Sequence, residues 1–188
     1  MEKLQDLLAN FEPRGEQEVA DLKFLNEFAK DPRNLTRDSI AHFTASAFVI
    51  NRTHDKVLAI FHNIYQSWGW MGGHADGDAD LLAVADKEVR EESGISNLKL
   101  LSPAPISIEN IPIQAHVHRK HGYVSAHIHL NVTFLFEADE NDEVKQNPAE
   151  NSGVEWIKFD ELVEKSTEEQ MKVIYKKIIE RIKEANNG

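Results

Sequence analysis

Glu88, Glu91 and Glu92 stand at a spacing that can hold a hard cation, inside the run GGHADGDADLLAVADKEVREESGI at residues 72–95. On a helix, positions i, i+3 and i+4 lie side by side, so the three carboxylates reach one patch of space. Oxygen ligands at that density suit Mg2+ or Mn2+ better than zinc. Like charges so placed repel, and only Lys87 and Arg90 stand close enough to relieve them. Spacing alone leaves two readings open, a solvated acidic face after a glycine turn or a cation site. Gly72 and Gly73, just ahead, would let backbone pass close to a ligand or turn tightly. A loop running into a helix N-terminus is also a natural anion site.

The elements that must position these residues are legible. A helix is expected over 80–93, stopping at Gly94, with Leu81, Leu82, Val84, Ala85 and Val89 packed on a sheet. AHFTASAFVI (41–50) and KVLAIFHNIY (56–65) read as strands, and NRTHD between them is a hairpin signal. The clearest strand is YVSAHIHLNVTFLFEA at 123–138, where Val124, Ala126, Ile128, Leu130, Val132, Phe134 and Phe136 alternate with polar residues. GVEWIKF is a further short strand after an acidic loop. Helical periodicity covers 2–10 and 15–30, with Leu22, Phe24, Leu25 and Phe28 as the expected buried stripe. The last helix is expected to start at Ser166 in a capping box with Glu169 and to bury Met171, Ile174, Ile178 and Ile182.

Bulk properties bound the chemistry. The 188 residues suit one globular domain with an appended helical segment. A net charge of −11 argues against duplex DNA or long RNA, whose binding rests on Lys and Arg displacing counterions. A small phosphorylated substrate stays open, because bound cations reverse the local field. Without cysteine, the chain can form no disulfide, thiolate nucleophile or cysteine zinc site. The charged N-terminal stretch reads as no signal region, and no apolar run approaches a membrane span, so a cytoplasmic protein is expected.

Five of the nine histidines fall within residues 116–129: His116, His118, His121, His127 and His129. A tight turn at 119–122 would put His116 opposite Ser125 and Gln114 opposite His127. His127 and His129 share a strand face with Tyr123, Ser125, Asn131 and Thr133, and form either a polar wall of a substrate pocket or the solvent side of a half-buried strand. Zinc stands behind both, for want of a cysteine or an evident fourth ligand. His42, Thr44 and Ser46 alternate on the first strand and can join that wall; His74 follows the glycine pair and can touch substrate. Trp68 and Trp70 offer a base-stacking platform or core packing, of which core is preferred. Trp156 is expected in the core.

Registered on Gly73, the run resembles the Nudix box, in which Gly, a Glu, and an Arg-Glu-aliphatic-any-Glu-Glu-any-Gly-aliphatic segment recur at fixed spacing. Glu88, Val89, Glu91, Glu92, Gly94 and Ile95 fall in place, whereas Ala79 stands at the first Glu and Lys87 at the Arg. HFTASAFVIN, WGWMGGHADGD, the His-any-His strand and GVEWIKFDEL extend the likeness to a bacterial Nudix subgroup with an N-terminal helical extension. The resemblance implies an α+β Nudix fold, an α/β/α sandwich with a mixed sheet, carrying N-terminal helices over 1–38 and the hydrolase domain over 39–188. It implies hydrolysis of a nucleoside diphosphate linked to another moiety, with Mg2+ (Mn2+ possible) held by Glu88, Glu91 and Glu92. Lys87 would take the ligand-orienting place, with fewer donors than arginine, and Asp76, Asp78 or Asp80 would supply the charge and N-cap that Ala79 lacks. Substrate contacts are expected from Gly72, Gly73, His74, His127 and His129. Glu150 is a candidate distant base, against the plainer reading of a solvated loop acid. The expected partner is a small pyrophosphate, not a nucleic-acid polymer or a membrane, for a monomer or homodimer. A catalytically weak Nudix domain serving as a ligand sensor is the alternative. An isopentenyl diphosphate isomerase-like enzyme of this fold is disfavoured, because such enzymes use a catalytic cysteine.

Overall fold

A computed structural model describes residues 1–118 and 122–187; His121 and most of the turn expected at 119–122 lie outside the described residues. In chain order the elements are helices α1 (Glu2–Ala9) and α2 (Gly15–Phe28), a 3-10 turn (Pro32–Leu35), and strands β1 (Ala41–Ile50), β2 (Lys56–His62), β3 (Ser67–Gly69) and β4 (Met71–His74). Helix α3 (Leu81–Ser93) precedes strands β5 (Lys99–Leu100), β6 (Ser107–Ile113), β7 (His116–His118), β8 (Gly122–Val124), β9 (His127–Glu137) and β10 (Asn151–Lys158). Helices α4 (Phe159–Lys165) and α5 (Glu169–Asn187) close the series. No helix among the described residues is long and apolar enough to cross a membrane.

The chain divides into two compact units, each built from three segments. The first comprises Met1–Ser46, Gly72–Ala85 and Pro103–Phe134. Its strand order is β4, β1, β9, β6. β6 pairs antiparallel with β9 from Ser107↔Thr133 to Ile113↔His127, so the polar residues of β9 share a face with Ser107 and Glu109. Helix α2 packs on β6, where Gln17 Nε2 donates to the Ile108 carbonyl (3.2 Å) and Asn110 donates through N–H (3.2 Å) and Nδ2 (2.9 Å) to Asp21.

The second unit comprises Ala47–Met71, Asp86–Ser102 and Leu135–Gly188. Its strand order is β10, β2, β1, β9, β5, with β3 on β2. The bond from Ile128 N–H to the Ile40 carbonyl and that from Ala138 N–H to the Ile50 carbonyl advance together along both strands, so β1 and β9 run parallel. β1 is buried at every position, as expected of a central strand covered on both faces. Helix α5 buries Met171, Tyr175, Ile178 and Ile182, with Ile174 only half-buried.

Three expectations are corrected. On α2 the inner line is Glu18, Leu25 and Ala29, while Phe24 is exposed and stacks on Phe28 with centroids 4.6 Å apart. Glu18 can be buried because its carboxylate accepts the Arg14 N–H (2.8 Å), a backbone donor that periodicity does not register. Ser166 does not cap α5; it ends α4, its N–H donating to the Leu162 carbonyl (3.0 Å), and α5 starts at Glu169. The β7–β8 register puts His116 opposite Val124, and His127 faces Ile113 rather than Gln114. That one-residue slip changes the face each side chain takes.

Candidate functional site

Helix α3 carries the acidic cluster through graded burial. Val89 and Ile95 are buried as anchors, Glu92 is 4% exposed, Glu88 is half-buried and the Glu91 side chain is 54% exposed. Lys87 Nζ lies 3.8 Å from Glu88 Oε1 and 3.7 Å from Glu91 Oε2, too far for hydrogen bonds. It screens both carboxylates without consuming their lone pairs. Arg90 is held elsewhere, donating to Asp86 (2.7 and 2.9 Å) and to the Ser96 carbonyl (2.6 Å). The helix stops at Gly94, in the left-handed region at φ +73°, where its N–H donates to the Arg90 carbonyl (3.1 Å). Two further bonds pin the last turn: Lys145 N–H to the Ser93 carbonyl (2.7 Å), and Asn151 Nδ2 to the Glu92 carbonyl (2.9 Å). The acidic loop containing Glu150 is thereby tied to the helix end that bears Glu91 and Glu92. Carboxylate oxygens are the donors that a hard divalent cation takes; among the described residues, the group whose ligand atoms already converge within 4.8 Å is one of histidines and does not include these glutamates.

The first unit gathers four histidines: His42 from β1, His74 from β4, and His127 and His129 from β9. One ring nitrogen from each lies within 4.8 Å of the others. Ring centroids stand 4.8 Å apart for His74 and His129, 4.9 Å for His127 and His129, and 5.0 to 5.3 Å from His42 to its three neighbours. His42 Nδ1 donates to the Ser39 carbonyl and His127 Nδ1 to the Ser125 carbonyl, both at 2.8 Å. A carbonyl only accepts, so in the neutral rings Nε2 keeps its lone pair. His127 Nε2 faces His129 Nε2 at 3.0 Å. His42 Nε2 is buried with no hydrogen-bond partner among the described residues, a state that costs about 1–3 kcal/mol. Burial pushes the His74 imidazole down to about 3, with the Arg37 charge adding to it. Burial likewise lowers His42, against the opposing pull of the Ser39 carbonyl, and holds His129 well below its ordinary value.

The same face continues as a buried polar ladder. Thr44 and Ser46 donate to Asn131 Oδ1 (3.1 and 2.8 Å), Asn131 Nδ2 donates to Thr133 Oγ1 (3.0 Å) and Glu109 Oε2 (3.2 Å), and Ser107 donates to Glu109 Oε1 (2.6 Å). Alternation in the sequence put His42, Thr44 and Ser46 on one face of β1, and the fold unites them with the β9 residues. Zinc stood behind the other readings for want of a fourth ligand, and His42 with His74 now supplies two beyond His127 and His129. His116 stands apart, its ring 6.3 Å from His127 and its Nδ1 on the Gln114 carbonyl (3.0 Å).

The NUDIX domain family model matches residues 41–181. The chain belongs to the Nudix family. As a Nudix chain it is a hydrolase of the pyrophosphohydrolase type, on an α+β fold with a mixed sheet. Solved structures share the fold. The Ap4A hydrolase of C. elegans, in a binary complex, is 16% identical, with 72% of this chain and 93% of that one covered and a TM-score of 0.53. The E. coli dihydroneopterin triphosphate pyrophosphohydrolase is 13% identical, with 74% and 95% covered and a TM-score of 0.57. A NUDIX family hydrolase from Clostridium perfringens is 21% identical, with 75% and 97% covered and a TM-score of 0.51. No curated protein matches the sequence significantly.

One residue after Ala79, which stands where the Nudix box has its first Glu, Asp80 Oδ1 accepts the Ala83 N–H (3.2 Å) and caps α3. Asp76 is instead engaged by Arg37 through two bonds of 2.8 and 2.7 Å, and Asp78 accepts the Asp80 N–H (2.8 Å). Gly72 serves close strand packing: an added Cβ would lie 2.7 Å from the Ala45 carbonyl oxygen. The tryptophans favour packing over a base platform, Trp68 lying edge-on to Phe61 at 5.6 Å and Trp70 to Tyr175 at 5.4 Å. Trp156 is only half-buried. Sequence reasoning missed Glu109, whose strand ISIENIPI is broken by a proline; only its pairing with Asn131 reveals the buried carboxylate.

Proposed function

We propose that this Nudix chain is a Mg2+-dependent hydrolase, with Mn2+ as a possible substitute, of a nucleoside diphosphate linked to another moiety. The observation that carries the reading is the trio Glu88, Glu91 and Glu92 on one rigid helix, fixed by Val89 and Ile95 and pinned at its last turn. Bound there, the cation would neutralise the pyrophosphate oxygens and polarise phosphorus toward attack. The chain's own work is to hold the carboxylates, to let Lys87 balance their charge, and to take the attacking water's proton on a glutamate. Glu150 is the loop candidate for that proton. Gly72, Gly73, His74, His127 and His129 are assigned to the substrate end, the histidines as its polar wall. Residues 1–38 are read as a helical extension packed on a Nudix domain of 39–188, supported by the start of β1 at Ala41 and the bonds from α2 to β6.

Purified protein with Mg2+ or Mn2+ is expected to cleave some member of a panel of nucleotide sugars, dinucleoside polyphosphates, ADP-ribose, NADH and nucleoside triphosphates. Glu91→Gln or Glu92→Gln should lower that rate at least about 100-fold, because metal-held stabilisation is worth several kcal/mol. The second reading, a ligand sensor, rests on Ala79 and Lys87. It takes over if wild type and Glu91→Gln bind a panel member equally and neither turns it over.

A further inference from the structure

We infer that His42, His74, His127 and His129 form a second metal centre, one that takes a divalent transition-metal ion of the imidazole-preferring kind, with Zn2+ the foremost candidate. It uses none of the α3 carboxylates, but it takes up His74, His127 and His129, the residues that the hydrolase reading assigns to the substrate end. Four nitrogens from three strands converge, one from each ring, within 4.8 Å. A tetrahedral ion with Zn–N bonds of about 2.0–2.1 Å sets its ligand nitrogens about 3.3 Å apart. The 3.0 Å pair of His127 and His129 is already at that scale, and the others need only close inward. Imidazole suits zinc, copper, nickel and iron, whereas Mg2+ prefers oxygen, so the two clusters differ in the ions they select.

Two details point to a ligand rather than a histidine stack. His42 and His127 each spend Nδ1–H on a backbone carbonyl, the orienting arrangement that fixes a metal-binding imidazole with its other nitrogen free to coordinate. His42 is 3% exposed, and its Nε2 has no partner among the described residues, so the fold keeps an unused lone pair inside the cluster. Coordination satisfies it. With four protein nitrogens the centre is of the closed, structural type: it clamps β4 and β9 to β1 within the first unit. It also gives the polar wall a fixed positive charge that neutral imidazoles lack.

The test uses tag-free full-length protein, stripped with chelator and titrated with Zn2+ against a chromophoric competitor, and separately with Co2+. Wild type should hold one equivalent of Zn2+ that survives gel filtration, and its Co2+ form should show the intense visible bands of a tetrahedral nitrogen site. His74→Ala and His129→Ala, with folding checked by circular dichroism, should bind that equivalent about 100-fold or more weakly. Glu91→Gln should bind it as wild type does. The centre is overturned if wild type holds no tight equivalent, if folded histidine variants bind as wild type does, or if the loss follows Glu91→Gln instead. Should the histidine variants not fold, the wild-type Co2+ spectrum decides alone, and a weak octahedral spectrum overturns the assignment.

Discussion

At Gly72 an added Cβ would lie 2.7 Å from both the Ala45 carbonyl oxygen and the Ser46 hydroxyl, and 3.0 Å from Ser46 Cα. The hydroxyl can rotate away, but the carbonyl belongs to a buried strand and cannot. Gly72→Ala should therefore cost about 1–3 kcal/mol, the usual range for forced overpacking. Urea denaturation measures it, and an unchanged midpoint would show that β4 can lift off β1 cheaply. Side-chain types were legible at this scale: glutamates at helical spacing left a cation site and a solvated acidic face both open, and alternation put His42, Thr44 and Ser46 on one face. What each residue touches was not. A glycine that meets a neighbouring strand and one that meets a ligand look alike in sequence, because only the fold says what lies opposite.

Among elements, α3 shows how far local signals reach. Its extent was expected at 80–93 and is Leu81–Ser93, because an apolar face, acidic residues before it and Gly94 after it all act within a turn of the chain. Which aspartate caps it was open, and Asp80 does, accepting the Ala83 N–H at 3.2 Å. Asp80→Ala should destabilise the protein by about 1 kcal/mol, read as a lower urea midpoint with an unchanged slope; its exposed pair with Lys3 adds little. Asp78→Ala, which removes no bond to a helix N–H, should cost less. The strands were harder. The slip that sets His116 against Val124 is a shift of one residue, and strand propensity is blind to it. Ser166 misled for a related reason: the same serine pattern serves a helix end as well as a start, and α4 claimed it first.

At the scale of the molecule, the charge of −11 leaves most acids solvated, but a few report on the folded state. In the second unit, Glu137 accepts from His54 Nε2 and Lys99 Nζ, each at 3.1 Å, and these bonds hold its carboxyl below the ordinary value of 4.5. A carboxyl depressed in the folded state stabilises above its unfolded value, and that contribution fades as pH falls through the folded one. Glu137→Gln should thus lower stability at pH 7 by under about 1 kcal/mol, as suits partly screened pairs. The gap to wild type should shrink in melts taken below pH 4.5; a gap constant with pH would show that packing, not charge, carries it. Each compact unit draws on three separate chain segments, so contacts between residues far apart in sequence are the rule. By itself the sequence determined α1, α2, α3, β1, β2, the family box and the spacing of the acidic trio, since all depend on periodicity and spacing within one helix or strand, whereas the single strand expected at 123–138 divides into β8 and β9. Only the tertiary structure decided that His42, His74, His127 and His129 share one place and that Glu109 is buried against Asn131. Those residues come from different strands, and pairing register, a property of the assembled sheet, sets which of them meet.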